Sequence, residues 1–235
     1  MLRSMIAVAG ALSTFVMVAG CGGSGDHTTG PSPDFSVVAA TVAPTTLGTV
    51  TTINVTVSST GASGPVTLAV EGAPVTWMVT TPSSATLAAS GTATIPVSVT
   101  IPTNGDAATG GRTLSITATV ASTQHIATTS MTVANEVVVP IAMGAVAGTH
   151  WPAFAGTTVH IRVGTTLTFR NDDSVRHLIH ANGVTGIAHQ DPGGFGIPSG
   201  ASLSQTTTQM GEANISCHSD GHSDGFTVAV DPAAG

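Results

Sequence analysis

The chain has 235 residues, long enough for one large or two small domains with proper cores, and carries a formal charge of -7 with no Lys and five Arg. That leaves no basic surface to hold a phosphate backbone, which excludes nucleic acid as a partner. With 28 Gly, 13 Pro, no Tyr and many Thr and Val, the composition favours short strands and turns over helices.

Residues 1–20 hold Arg3 and then an apolar run, Met5 to Ala19. At about 15 residues it is short of the roughly 20 needed to span a bilayer, so it reads as an export signal. Its end, Val18-Ala19-Gly20-Cys21, resembles the bacterial lipobox, which implies cleavage before Cys21 and acylation of that cysteine. Several acyl chains on one residue anchor a protein stably where one does not, so the expected location is the cell envelope, outside the cytoplasmic membrane. Residues 21–33, rich in Gly, Ser, Thr and Pro, form a flexible tether in which His27 is solvated.

Residues 34–135 show period-two alternation. Ile53, Val55 and Val57 share one face, as do Ile95, Val97 and Val99, and then Leu114, Ile116 and Ala118. Turns fall at Gly61 to Pro65, Thr81 to Ser84, Ser90-Gly91 and Asn104-Gly105. About seven short strands over some 100 residues predict an antiparallel sandwich. The layout resembles the immunoglobulin-like repeats of secreted bacterial proteins, which implies a spacer or adhesive module without catalysis. Trp77 reads as a core aromatic, His125 as a surface strand residue and Pro96 as a marker of an edge strand.

The strand pattern restarts over residues 136–235, and seven of the nine His lie between His150 and His222. Once Cys21 is assigned to the anchor, Cys217 is the only cysteine left, a lone thiol among imidazoles. Metal binding is the chemistry such a set suits. Val163-Gly164-Thr-Thr-Leu-Thr-Phe-Arg-Asn171-Asp-Asp-Ser-Val-Arg-His177 resembles the cupredoxin segment that delivers the first copper histidine, and Cys217-x4-His222 matches the azurin spacing of thiolate and second histidine. The resemblance spans residues 137–230 and implies a Greek-key cupredoxin domain with a mononuclear copper, type 1 or altered type 1, held by His177, Cys217 and His222. The predicted fold class is therefore all-β: two antiparallel β-sandwich domains behind a signal peptide and tether.

Alternation sharpens the ligand choice. Ala213, Ile215 and Cys217 share the apolar face of the incoming strand, so His218 points away and His222 ranks above it. His180 lies three extended residues past His177, about 10 Å away on the opposite face, and reads as a surface residue. His189 reads as an exposed loop residue; His218, His189 and His180 are the lower-ranked candidate ligands. His150 and His160 read as structural or solvated.

One family element is missing. No Met or Gln follows His222, where cupredoxins supply a weak axial ligand, and Met210 sits about 23 Å up an extended strand from Cys217. A three-coordinate copper or one with a carbonyl or water, a fourth ligand from Asp220, Asp224 or His189, and loss of copper all stay open. The resemblance implies a one-electron carrier, not an enzyme, serving extracytoplasmic redox proteins from a lipid anchor. The alternatives are copper storage or delivery without electron transfer, and a surface adhesion or spacer protein with an empty cupredoxin fold.

Overall fold

The structure is a computed structural model that describes residues 32–145, 149–183, 185–190, 196–218 and 224–233. The leader, Cys21, His27, Asp220 and His222 lie outside the described residues. Pro33–Gly235 forms one compact unit. Among the described residues, no helix is long and apolar enough to cross a membrane.

Every named element is a strand. In chain order they are β1 (Asp34–Ala39), β2 (Thr45–Leu47), β3 (Val50–Thr60), β4 (Gly64–Glu71), β5 (Met78–Thr80), β6 (Ala85–Leu87), β7 (Thr92–Thr100) and β8 (Ala108–Val120). They continue as β9 (Thr123–Ile141), β10 (Thr158–Arg162), β11 (Thr166–Asn171), β12 (Ile179–Gly183), β13 (Ser202–Thr206), β14 (Gly211–Cys217) and β15 (Gly225–Asp231). Three sheets result, ordered β1-β3-β7-β5, β10-β15-β14-β12 and β13-β11-β9-β8-β4-β6, with β2 on β9.

The all-β sandwich class read from the alternation is what the chain adopts. Ile53, Val55 and Val57 of β3, Ile95, Val97 and Val99 of β7, and Leu114, Ile116 and Ala118 of β8 are all buried, while the Thr and Ser between them are not. Each such aliphatic removed from water contributes roughly 1.5–3 kcal/mol. Trp77 is buried, as expected, and its indole N–H donates to Asp106 O at 3.3 Å. His125 is a surface strand residue whose Nε2 meets Asp34 Oδ1 at 2.7 Å.

Two features differ from the sequence reading. Pro96 lies on an internal strand, because β7 runs between β3 and β5. The three residues of β5 cover only Ser98 to Thr100, so Pro96 sits past the end of that pairing and its missing N–H breaks no ladder with β5. The second feature is β9. It pairs antiparallel with β8 through Val133 and then parallel with β11 from Glu136 to Ile141. The expected boundary between 135 and 136 therefore falls inside one continuous strand. Arg162 strengthens the junction, its Nε donating to Asn104 O at 2.9 Å.

Candidate metal centre

Cys217 ends β14, and the alternation of that strand turns Ala213, Ile215 and Cys217 inward, all at 2% exposure or less. His177 comes from the segment after β11. That segment is shaped by Asn171, itself fully buried: its Nδ2 donates to Val175 O at 2.7 Å and Ile197 O at 2.9 Å, and its Oδ1 accepts from Asp173 N at 2.9 Å. His177 and Ile197 then pair as an isolated bridge, with N···O distances of 3.1 and 2.7 Å. Gly196 has φ 56°, and a Cβ there would fall 2.7 Å from His177 O, so glycine lets the chain pass this close.

The result is a short approach between the two residues. His177 Nδ1 lies 3.6 Å from Cys217 Sγ, and both side chains are buried. The far nitrogen, His177 Nε2, meets Asp173 Oδ2 at 2.8 Å. Asp173 also accepts from Gly144 N at 2.8 Å and Ser174 N at 2.7 Å. The His177 bond first, and then these amides, hold the Asp173 carboxyl below its ordinary value of 3.8 against the opposing effect of burial.

The third member of the group is His150, which sequence reasoning took as structural or solvated. It is 2% exposed, and its ring stands edge-on to His177 with centroids 5.1 Å apart. Asp224 fixes it from both sides: the carboxylate accepts from His150 N at 2.7 Å and faces Nδ1 at 3.1 and 3.2 Å. Asp224 was a candidate fourth ligand; the structure employs it to hold a histidine. One donor atom each from His150, His177 and Cys217 lies within 4.8 Å of the others. Trp151, Phe169 and Phe226 pack in T-shaped contacts beside them and close the core around the group.

His150 left no local signal, because its burial rests on Asp224, 74 residues away. It comes from the loop before β10, upstream of His189, Asp220 and Asp224, the residues from which a fourth ligand was expected. His222, the expected second histidine, lies outside the described residues.

The lower-ranked ligands gather elsewhere. His180, His189 and His218 form a separate set whose donor atoms also lie within 4.8 Å of one another. His180 on β12 pairs with Ser216, while Ile179 pairs with Cys217, so the sheet places His180 on the face opposite Cys217. His218 points away from the Cys217 face, as alternation required. His160 is solvated, its side chain 55% exposed with Nδ1 3.5 Å from Asp231.

No family model matches the chain, and no curated protein matches it. Solved structures do. A purple cupredoxin from Nitrosopumilus maritimus is 26% identical, over 40% of this chain and 99% of its own, with a TM-score of 0.32. An amicyanin variant in its reduced Cu(I) form is 24% identical, over 41% of this chain and 82% of its own, with a TM-score of 0.30. A tandem of titin immunoglobulin domains is 9% identical, over 86% of this chain and 97% of its own, with a TM-score of 0.28. Structural neighbours thus include cupredoxins over about 40% of the chain and immunoglobulin-type folds over most of it.

Proposed function

We propose that this protein is a membrane-anchored, extracytoplasmic copper protein that carries single electrons through a mononuclear centre. His150, His177 and Cys217 would hold the ion, with His222 the further ligand expected from the Cys217-x4-His222 spacing. One observation carries the reading: two imidazoles and a thiol come together in the buried core, and each imidazole is backed by a carboxylate.

The donor set fits the group. Thiolate with imidazole suits copper, and the pairing of each His with an Asp is the arrangement that orients metal-binding imidazoles and raises their basicity. His177 offers Nδ1 toward the thiol because Asp173 occupies Nε2, and Asp224 holds the His150 ring at Nδ1. When bound, copper supplies a one-electron couple. The chain's part is to keep the donors in one geometry: Asn171 stitches the His177 segment, β14 fixes Cys217, and Trp151, Phe169 and Phe226 exclude water. His150 supplies the donor that the missing Met or Gln left open, which points to an altered rather than an ordinary type 1 centre.

The rest of the chain has supporting roles in this reading. The acylated Cys21 anchors the protein, residues 21–33 tether it, and the sandwich of residues 34–135 holds the copper half away from the bilayer. An extracytoplasmic redox protein is the partner, and no catalytic step is assigned. Voltammetry of the copper-loaded protein tests the carrier role. A reversible Cu(II)/Cu(I) wave is expected; loss of copper on reduction would overturn it.

A further inference from the structure

A second group of three imidazoles is built into the outer face of the sheet that carries Cys217. His180 lies on β12, His218 directly follows β14, and His189 lies on the segment that runs back along β12. Their rings stand edge-to-face, with centroids 4.4, 4.5 and 4.8 Å apart. His218 Nε2 is 3.1 Å from His180 Nδ1 and 2.9 Å from His189 Nε2. His189 is exposed and the other two are half-buried, so solvent reaches the group.

The positions on either side of His189 are pinned. Ala188 N donates to Gln205 Oε1 at 2.6 Å, while Gln190 N donates to Ile179 O at 3.0 Å and Gln190 Oε1 accepts from Ile179 N at 2.7 Å. His218 N donates to Leu178 O at 2.9 Å. The rings are thus delivered by a hydrogen-bonded frame.

The proton arrangement favours a cation at the centre. A carbonyl oxygen only accepts, so His189 Nδ1, 3.1 Å from Ala181 O, carries the ring's proton and leaves Nε2 as a lone pair in the neutral ring. Donation of the outer N–H to a backbone carbonyl is what fixes the tautomer of a metal-binding histidine. His218 Nε2 has a single in-plane position yet faces two ring nitrogens at hydrogen-bond distance. One proton there serves two acceptors poorly; a dication accepts all three lone pairs. At metal–nitrogen distances of about 2.0–2.1 Å, tetrahedral ligand atoms stand about 3.3 Å apart, so the two short separations need to open by only a few tenths of an ångström.

We propose that His180, His189 and His218 form a second, solvent-open metal site that takes a borderline dication such as Cu2+ or Zn2+ through three imidazole nitrogens. The site is independent of the buried one. Ile179 and Cys217 face the core while His180 and His218 face out, so the two sets lie on opposite faces of the β12–β14 pair, joined by the Cys217–His218 peptide and by the short run from His177 to His180.

Cobalt(II) titration of the full chain, followed by absorption, tests the proposal. The Cys217→Ser chain is expected to bind one equivalent with d–d bands and no thiolate charge-transfer band. Adding His189→Ala should weaken that binding by at least about 100-fold. In the natural chain, His189→Ala should lower the stoichiometry from two to one and leave the thiolate band in place, which decides the matter even where Cys217→Ser folds poorly. Unchanged binding on His189→Ala in either background overturns the site. Failure of the buried centre looks different: the natural chain would lack a thiolate band while keeping a His189-dependent ion.

Discussion

The two stretches on either side of Asn135 follow the same alternation but bury different chemistry. Among the described residues, the first buries one polar side chain, Thr129, whereas the second buries nine, including His150, Asn171, Asp173 and His177. A buried polar group costs stability unless it is hydrogen-bonded, so a sandwich needs a reason to hold so many. In the second stretch Asn171, Asp173 and His177 are bonded to one another or to nearby backbone, and His150 is bonded to the Asp224 carboxylate. The first stretch shows what this architecture needs to fold; the second shows what it holds beyond that need.

The comparison breaks most sharply if core and site cannot be separated by mutation. Ile116→Ala, at a fully buried position of the first stretch, should cost about 2–5 kcal/mol in denaturant unfolding while leaving the copper spectrum of the folded protein unchanged. Asn171→Ala should cost less, about 1–3 kcal/mol, because it strips partners from buried backbone groups. Unlike the first variant, it should also weaken copper binding by about 10–100-fold, since it frees the segment that carries His177.

Asp173 adds a pH signature to the second stretch. Its carboxyl is depressed in the folded state, so its contribution is fully present above the ordinary value of 3.8. That contribution falls as pH drops below 3.8 and is lost once pH passes the depressed native value. Thermal melts of the metal-free protein between pH 2 and about 7 should therefore show the natural chain ahead of Asp173→Asn at neutral pH and the two converging in acid. The smallest effect belongs to the surface of the first stretch. Asp34→Asn, which breaks the exposed pair with His125, should change stability by under about 1 kcal/mol.

Much of this was legible beforehand. Strand faces followed from period-two alternation, because a half-buried strand has no other way to place its apolar residues. His177 and Cys217 were legible from motif and spacing, and the outward turn of His218 from alternation alone. His150 was not legible, because its burial depends on Asp224, 74 residues away, and no local pattern encodes that pairing. The separate gathering of His180, His189 and His218 was hidden for a similar reason: it arises only once β12 pairs with β14 and Gln190 pins the His189 segment to β12. The length of β9 escaped because the strand pattern restarts after Asn135, while in the fold Asn135 and Glu136 lie within one strand that changes partners.

The central claim is that His177 and Cys217, joined by His150, bind copper through the thiolate. Cu(II) titration of the protein with visible and EPR spectra, alongside Cys217→Ser, tests it most directly. An intense thiolate-to-copper band that saturates at one equivalent and vanishes in Cys217→Ser is the predicted result. A natural chain without that band, or with a copper spectrum identical to that of Cys217→Ser, would contradict it.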